Sequence, residues 1–398
     1  MNRPSRIDFI DNLKIFLSLT VIAHHAGQPY GGSDGFWYVK DQLMPANLGP
    51  FFGVNAGFNM SLYFLISAFF IPVVFQKRGG AAYLKDRLRR LGIPLLVGFF
   101  VMIPFMMFFY YNHFRGYETM SFFDYYLKIY FGLSGEPSDW TGPSWPDLNF
   151  GHLWFIEHLL IYSVLYVLWK QIVKKGIIRE GKIQFTASHA SILSLVFLAA
   201  IATFIIRIWY PIDHWIGLFG FVQTELAHIP QYVTFVILGI GAAKNGWIRN
   251  IPKQVGKTWF GIGCILAILR FAGVVHSTDG GMSGASLFYS FYETILCFGL
   301  GIGLLELFNR KLNISSSFSK KLAGNTFTVY IIHMPVLMVL QYCLIKVPLS
   351  GYIKFGIVFV LGTILGHLIS FFVIRRINFL SILFTGVDIP KKTIKQTV

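Results

Sequence analysis

The sequence predicts an all-α fold, a polytopic membrane bundle of about ten transmembrane helices. Of the 398 residues, 55% are hydrophobic and only 13% are charged, whereas soluble domains carry roughly 25% charged residues. Apolar windows of roughly 17–22 residues recur along the whole chain, and a helix of that length crosses about 30 Å of hydrocarbon.

Ten such windows follow one another, the sixth of them shorter than the rest: Ile7–Ala26, Asn59–Phe75, Gly92–Tyr111, Leu153–Val173, Ile192–Trp209, Ile229–Ala243, Trp259–Val275, Leu287–Phe308, Ala323–Leu344 and Ile353–Ile374. We therefore expect one integral-membrane domain, residues 1–376, followed by a cytoplasmic C-terminal tail, residues 377–398.

The basic residues orient the windows, because cytoplasmic loops of membrane proteins carry the excess of Lys and Arg. Placing the N-terminus inside assigns most of the 34 Lys and Arg residues to cytoplasmic segments. We predict a multi-pass protein of the cell membrane with both termini cytoplasmic. The same rule explains the net charge of +16, so no nucleic-acid partner is predicted.

The three cysteines, Cys264, Cys297 and Cys343, lie inside apolar windows and lack the spacing of metal ligands. We therefore expect neither a disulfide nor a metal site.

Polar side chains follow one face of the first helix. Lys14 and His25 are about 20° apart around the axis and roughly 16 Å apart along it. Asp11 lies one turn before Lys14 on nearly the same face, whereas His24 points about 80° away. Ionisable groups at membrane depth are costly unless they face protein or water, so this stripe indicates a pathway or a site. The alternative is that these groups anchor the helix ends at the two interfaces.

Other apolar windows also contain polar groups. Glu157 lies in the fourth window, Glu293 in the eighth, and Tyr330 and His333 lie one turn apart in the ninth. Each alone is a weak signal, but a buried carboxylate is costly unless it has a partner.

The stretch AAYLKDRLRRLGIPLL joins the second and third windows. Arg87 and Arg90 are three residues apart, so both can project the same way from a short interfacial helix. Guanidinium groups bind phosphate bidentately, as a nucleotide-bearing donor requires. An anchor for anionic lipid is the alternative.

Taken together, these motifs resemble the acyltransferase 3 family of integral-membrane O-acyltransferases, with the glucan biosynthesis protein C-like branch as the most similar. The resemblance rests on D-x-x-K-x10-H in the first helix, YFLISAFFI with Ser67 in the second, RLRRLGIP before the third, LWF in the fourth and GNTFTVYIIHMPV in the ninth. Lys14 and Ala68 stand where many members have Arg and Gly.

The resemblance implies an acyl transfer to sugars at the far face of the membrane. Arg87 and Arg90 are expected to hold the phosphates of acyl-CoA, either acetyl-CoA or succinyl-CoA, which acts as a co-substrate and not as a tightly bound cofactor. The acceptor is a hydroxyl of a glycan or a related cell-envelope molecule.

The resemblance also implies roles within the membrane. His25 acts as general base on the acceptor hydroxyl, Lys14 stabilises developing charge or fixes Asp11, and Glu157 orients the imidazole or the sugar. Ser67, Glu293, Tyr330 and His333 are further candidates without an assigned role.

Two alternatives stay open. The serine esterase-like domain that some relatives carry is absent, so either this domain or an accessory acyl-transfer protein completes the transfer. A proton-coupled transporter or a lipid flippase is the rival function, because stripes of acidic and basic groups also serve proton relays.

Overall fold

Helices form nearly all of the regular structure in the computed structural model, which describes residues 7–31, 36–41, 43–133, 136–142, 144–145, 150–175 and 185–389. Within the predicted tail, residues 390–398 lie outside the described residues, and a short helix precedes them.

The α-helices of the described chain are α1 Asp8–Gly27, α2 Gly49–Arg78, α3 Gly80–Arg87, α4 Ile93–Val97, α5 Ile103–Phe114, α6 Phe122–Tyr125, α7 Trp154–Lys174, α8 His189–Arg207, α9 Ile229–Asn245, α10 Lys253–Phe271, α11 Gly284–Lys311, α12 Ser317–Leu344, α13 Gly351–Leu368 and α14 Asn378–Thr385. π-Helical segments extend some of them: Leu88–Gly92, Gly98–Met102, Tyr126–Tyr130 and Ile369–Ile374. Short 3₁₀ turns occur at Gln28–Tyr30, Gly151–Leu153, Leu226–His228 and Trp247–Arg249.

Each of the ten predicted windows coincides with a helix. Within the described ranges, eight helical segments are long and apolar enough to cross a membrane: Gly49–Arg78, Gly80–Phe114, Gly151–Lys174, His189–Arg207, Leu226–Asn245, Gly284–Lys311, Ser317–Leu344 and Gly351–Ile374. The other two windows form α1 and α10, which carry charged residues in their end turns. The predicted all-α membrane bundle is confirmed, and about ten spans is consistent with these helices.

The second span begins ten residues earlier than predicted, at Gly49 instead of Asn59. Polar residues made this stretch resemble a loop, but they face the neighbouring helix. The Asn59 side chain donates to Thr20 Oγ1 at 2.5 Å, and the Asn55 side chain donates to the Thr20 carbonyl at 3.2 Å. These bonds attach both side chains to α1, and both are buried inside the bundle.

The basic segment before the third span is not a separate interfacial helix. After a sharp turn at Gly79, whose φ is 76°, α3 continues through a π-helical turn into α4 and α5. Arg87 and Arg90 therefore lie on the first turns of one long span, Gly80–Phe114. Glycine allows this turn because it adopts a positive φ without steric cost.

Glycines bring α10 and α11 into backbone contact. A Cβ at Gly299 would lie 2.9 Å from the Cα of Gly263, and neither position has room for a side chain. Small residues at such contacts increase dispersion between helices, which is the main attraction available inside a lipid bilayer.

A buried ion pair fixes the segment that follows α1. Asp41 Oδ2 lies 2.6 Å from Lys354 Nζ, and both side chains are almost fully buried. Backbone bonds extend the contact, since Gly351 N donates to the Met44 carbonyl at 2.7 Å and Ala46 N to the Tyr30 carbonyl at 2.6 Å. This segment consequently covers the ends of α1 and α12.

The sequence did not predict a small antiparallel hairpin between α8 and α9. Strands β1 Trp215–Leu218 and β2 Val222–Glu225 pair with Trp215 opposite Glu225. Such short strands carry little periodic signal in sequence. The hairpin is attached to α7, because Gln223 N donates to Glu157 Oε2 at 3.1 Å and the Gln223 carbonyl lies 3.2 Å from His158 Nε2.

Candidate active site

Two cavities meet at the ends of the helices where α1 stops and α2 begins. The first, of about 240 Å³, lies mainly among α1, α2, α11 and the segment between α8 and α9 that contains the hairpin, and we call it the helix cavity. The second, of about 560 Å³, lies under the loop segments around Trp37 and Trp140, and we call it the loop cavity. Seven described residues line both cavities: His24, His25, Gln28, His152, Trp154, Asp213 and Trp215. These residues form a common wall that one molecule on each side can touch.

His25 is held on two sides in the last turn of α1. Its Nδ1 lies 2.7 Å from His333 Nε2, and its ring is nearly parallel to those of Trp37 and His333, with centroid distances of 5.4 and 5.0 Å. Gln341 donates to the His25 carbonyl at 2.9 Å and accepts from Trp37 Nε1 at 2.9 Å. The imidazole therefore has a defined orientation.

A third histidine adjoins this pair. His152 is buried, and its ring centroid lies 5.2 Å from that of His333. Its Nε2 bonds the Ile331 carbonyl at 2.9 Å, and the Tyr330 hydroxyl donates to the His152 carbonyl. Its Nδ1 has no hydrogen-bond partner among the described residues. No group of three His, Cys, Asp or Glu side chains in the described ranges is placed to hold a metal ion.

Buried charges form a network beside the helix cavity. Arg207 of α8 pairs with Glu293 of α11, and His228 Nε2 lies 3.2 Å from Glu293 Oε1. The other ring nitrogen of His228 lies 2.8 Å from Glu225 Oε2, and Asp213 N donates to Glu225 Oε1 at 2.7 Å. The network joins α8, α9, α11 and the hairpin.

The network also determines the charge of Glu225. Burial raises the pKa of its carboxyl, but the charge and hydrogen bond of His228 and the bond from Asp213 N lower it more, and the pKa lies below its ordinary value. Glu225 is therefore a carboxylate at neutral pH. It also holds Asp213, whose φ is 63°, in the left-handed region at the common wall.

Aromatic side chains dominate the loop cavity. Trp37, Tyr110, Trp140 and Trp215 line it, and the Arg115 guanidinium lies 4.6 Å from the Trp140 ring centroid. Faces of aromatic rings offer large contact areas with polar edges. Such a lining suits a ligand that has both apolar faces and hydroxyl groups.

Comparison with known proteins assigns the chain to a family. The family model described as an acyltransferase domain, Acyl_transf_3, matches residues 7–375. The chain belongs to the acyltransferase 3 family. It is a multi-pass membrane acyltransferase.

Curated relatives match along nearly the whole length. Glucans biosynthesis protein C from Escherichia coli (strain K12) is 23% identical over 403 residues, covering 96% of this chain and 95% of the relative. The protein of the same name from Shigella dysenteriae serotype 1 (strain Sd197) is also 23% identical with the same coverage. No solved structure matches this acyltransferase.

Asp11 and Lys14, which lie in the first half of α1, have different neighbours from His25. Lys14 Nζ lies 3.2 Å from Asp11 Oδ1 and 4.6 Å from the centroid of the Phe70 ring. Neither residue lines the two cavities. Ser67 is half-buried on α2 and does not line them either. The structure therefore places these candidates on α1 and α2 but away from the common wall.

The two candidate arginines lie at the opposite end of the bundle from His25. Arg90 Nε lies 3.0 Å from Asp86 Oδ1, and the Arg87 guanidinium lies 5.1 Å from the Tyr83 ring centroid. The Arg90 side chain is about half exposed, at 46%. Arg89, between them, pairs with Asp388 at 2.5 Å.

The four remaining candidates lie in three places. Tyr330 and His333 lie beside His25 and His152, as described above. Glu293 lies in the buried charge network. Glu157 bonds the hairpin backbone at Gln223, and the described contacts of the His25 ring do not include it.

Sequence reasoning missed several residues of the site. Arg207 lies inside an apolar window and is 1% exposed, so the cost of an unpaired charge at membrane depth could have identified it as a partner for Glu293. His152, His228 and Trp37 carry no comparable signal, because they lie at helix ends and in loops, where polar and aromatic residues are common.

The charge network should contribute strongly to stability. Glu293→Gln leaves Arg207 buried without its counter-charge, so we expect it to lower the free energy of unfolding by about 3–5 kcal/mol. The measurement is denaturant unfolding of the purified protein in detergent. Glu306→Gln is the matched control on the same helix, because Glu306 pairs at 2.7 Å with the 45% exposed Arg310, and about 1 kcal/mol or less is expected. Equal losses in the two variants would contradict the role of the network.

Proposed function

We propose that this membrane acyltransferase moves an acyl group from acyl-CoA at the cytoplasmic face to a hydroxyl of a glycan, or a related cell-envelope molecule, at the outer face. One observation carries the proposal: His25 lies in the wall that the helix cavity and the loop cavity share. A base in that position can reach an acceptor in one cavity and an acyl thioester in the other.

The orientation follows from the charges. The end of the bundle that holds the N-terminus of α1, Arg87 and the start of α12 is rich in Lys and Arg, which favours the cytoplasm. The cavities lie at the opposite end, beside the last turn of α1. The donor and acceptor sites are therefore proposed to face different compartments, with both chain termini inside.

A reporter that is active only in the cytoplasm tests this orientation. Fused at Val398 or inserted at Gly79, it should be active, and inserted at Ser138 it should be inactive. The measurement is reporter activity normalised to the amount of fusion protein. Activity at Ser138 would reverse the orientation and remove the transfer across the membrane from the proposal.

The donor site is proposed at the first turns of the third span. Arg87 and Arg90 lie there within one helical turn, next to the half-exposed surface around Asp86. Phosphates of CoA match the forked geometry of guanidinium groups. The acyl thioester, from acetyl-CoA or succinyl-CoA, then extends along the polar face of α1 past Lys14 toward His25.

Alanine at both arginines should weaken acyl-CoA binding. We expect about a tenfold loss of affinity for each contact removed, the lower end of the range for charged hydrogen bonds, because the groups are partly exposed. Equilibrium binding of acyl-CoA to the purified Arg87→Ala/Arg90→Ala variant measures this loss of affinity. Arg89→Ala is the control, since Arg89 pairs with Asp388. Unchanged binding in the double variant would favour the lipid-anchor alternative.

The chemistry requires one base and no covalent intermediate. His25 Nε2 takes the proton of the acceptor hydroxyl while the hydroxyl oxygen attacks the thioester carbonyl carbon. The C–S bond breaks, and the CoA thiolate takes the same proton back from His25. The products are an ester and free CoA, and the base is regenerated.

The acceptor is proposed to bind in the loop cavity. Its aromatic lining suits the apolar faces of sugar rings, and the relatives from Escherichia coli and Shigella dysenteriae are named for glucan biosynthesis. A transporter or flippase has no need of a donor site for CoA. Release of free CoA by the purified protein distinguishes transfer from transport.

Loss of the base should slow the chemical step. We expect His25→Gln to lower kcat by about 10²–10⁴-fold, while donor affinity stays near normal because the donor phosphates lie at the other end of the bundle. CoA release in proteoliposomes measures the rate. His113→Gln is the control, because His113 lies on α5 outside both cavities. If His25→Gln stays active, the base lies elsewhere, and His152 with its unpaired Nδ1 is the next candidate.

A further inference from the structure

The hydrogen bond between His25 and His333 determines which nitrogen of His25 is basic. We propose that His333 is a positioning residue, which holds the proton of neutral His25 on Nδ1 and leaves Nε2 unprotonated toward the cavities. This inference rests on the proposed function of His25 as general base and assigns a role to a second residue.

The direction of the bond follows from the other side of His333. Its Nδ1 lies 2.6 Å from the Tyr330 carbonyl oxygen. A carbonyl only accepts, so His333 Nδ1 must carry a proton. A neutral imidazole has one N–H, which leaves His333 Nε2 as an acceptor. The 2.7 Å bond then requires that His25 Nδ1 donates.

The surroundings favour the neutral form of His333. It is fully buried, at 0% exposure, and the titratable side chains that face it are His25, His152 and Tyr330. None of its described contacts is a carboxylate. An imidazolium there would be a buried charge without a counter-charge, which is costly.

The rest of the site keeps His25 in this state. The Trp37 ring stacks on the His25 ring, and Gln341 holds both the His25 carbonyl and the Trp37 indole. The hydrogen bond to His333 uses Nδ1 of His25 and leaves Nε2 without a bond to the described residues. Only the tautomer with a bare Nε2 can accept a proton from a hydroxyl in the cavities. Without His333, neutral His25 would divide between its two tautomers.

Three variants at position 333 test this role. His333→Leu removes both hydrogen bonds and should lower kcat by about 10- to 100-fold, the size of effect seen when a group that orients a functional histidine is removed. His333→Gln should restore most of the rate, because its amide oxygen can accept from His25 and its amide nitrogen can donate to Tyr330. His333→Met replaces the leucine variant if the latter loses cooperative thermal unfolding.

The assay uses full-length protein in proteoliposomes, with acetyl-CoA and succinyl-CoA tested in turn and a glucan oligosaccharide as acceptor. Free CoA is measured as a function of each substrate. A positioning role predicts a lower kcat with little change in the KM of either substrate. In a His25→Gln background, His333→Leu should have no further effect on kcat, since there is no tautomer left to select.

The matched control is His367→Leu on α13. His367 Nδ1 also bonds a carbonyl one turn earlier, that of Thr363 at 2.8 Å, but it lines neither cavity. The kcat of the His367→Leu variant should equal that of the wild type. A wild-type rate in His333→Leu, or an equally slow rate in His333→Leu and His333→Gln, would overturn the inference. An active His25→Gln variant would instead overturn the proposed role of His25 as general base, on which the inference rests.

Discussion

The ion pair between Arg207 and Glu293 is the interaction on which the structure around the helix cavity depends. Both side chains are nearly fully buried, and each belongs to a different membrane-spanning helix. A charge in this position requires a counter-charge, because an unpaired ion in a low-dielectric interior costs several kcal/mol. His228 and Glu225 extend the pair to α9 and the hairpin. Four elements are thus held in one arrangement.

The position of the common wall follows from that arrangement. The hairpin carries Trp215 and ends at Glu225, and Glu225 in turn holds the backbone of Asp213. On the other side of the site, the buried pair of Asp41 and Lys354 fixes the segment that places Trp37 over His25. A buried charge network and a buried ion pair therefore fix the segments that carry residues of the two cavities, although neither touches the His25 ring.

The helices could be predicted from sequence because the solvent allows few alternatives. A chain that crosses hydrocarbon must satisfy its backbone within each span, so every apolar window became a helix. The start of α2 could not be predicted in this way. Asn55 lies in the stretch that precedes the predicted window, and only its bond to the Thr20 carbonyl of α1 shows that this stretch belongs to the bundle.

The site could be predicted only in part. Helical periodicity indicated that His25 belongs to a polar face of α1, and His333 was noted as a candidate because it interrupts an apolar window. Their contact could not be predicted, since 308 positions separate them in the chain. Glu157 was expected near the imidazole, whereas its carboxylate binds the hairpin backbone. A buried acidic side chain indicates that it has a partner, but tertiary packing determines which residue that partner is.

The length of α2 has a consequence for where the reaction takes place. Its 30 residues measure about 45 Å, whereas roughly 20 residues suffice to cross the hydrocarbon. The additional turns are those that line the helix cavity, with Gly49, Phe52 and Gly53 among them. With Arg78 at one surface of the membrane, the first turns of α2 extend beyond the hydrocarbon at the other surface. Under the proposed function, a hydrophilic acceptor then needs no path into the lipid, and bilayer thickness sets how far the donor must reach.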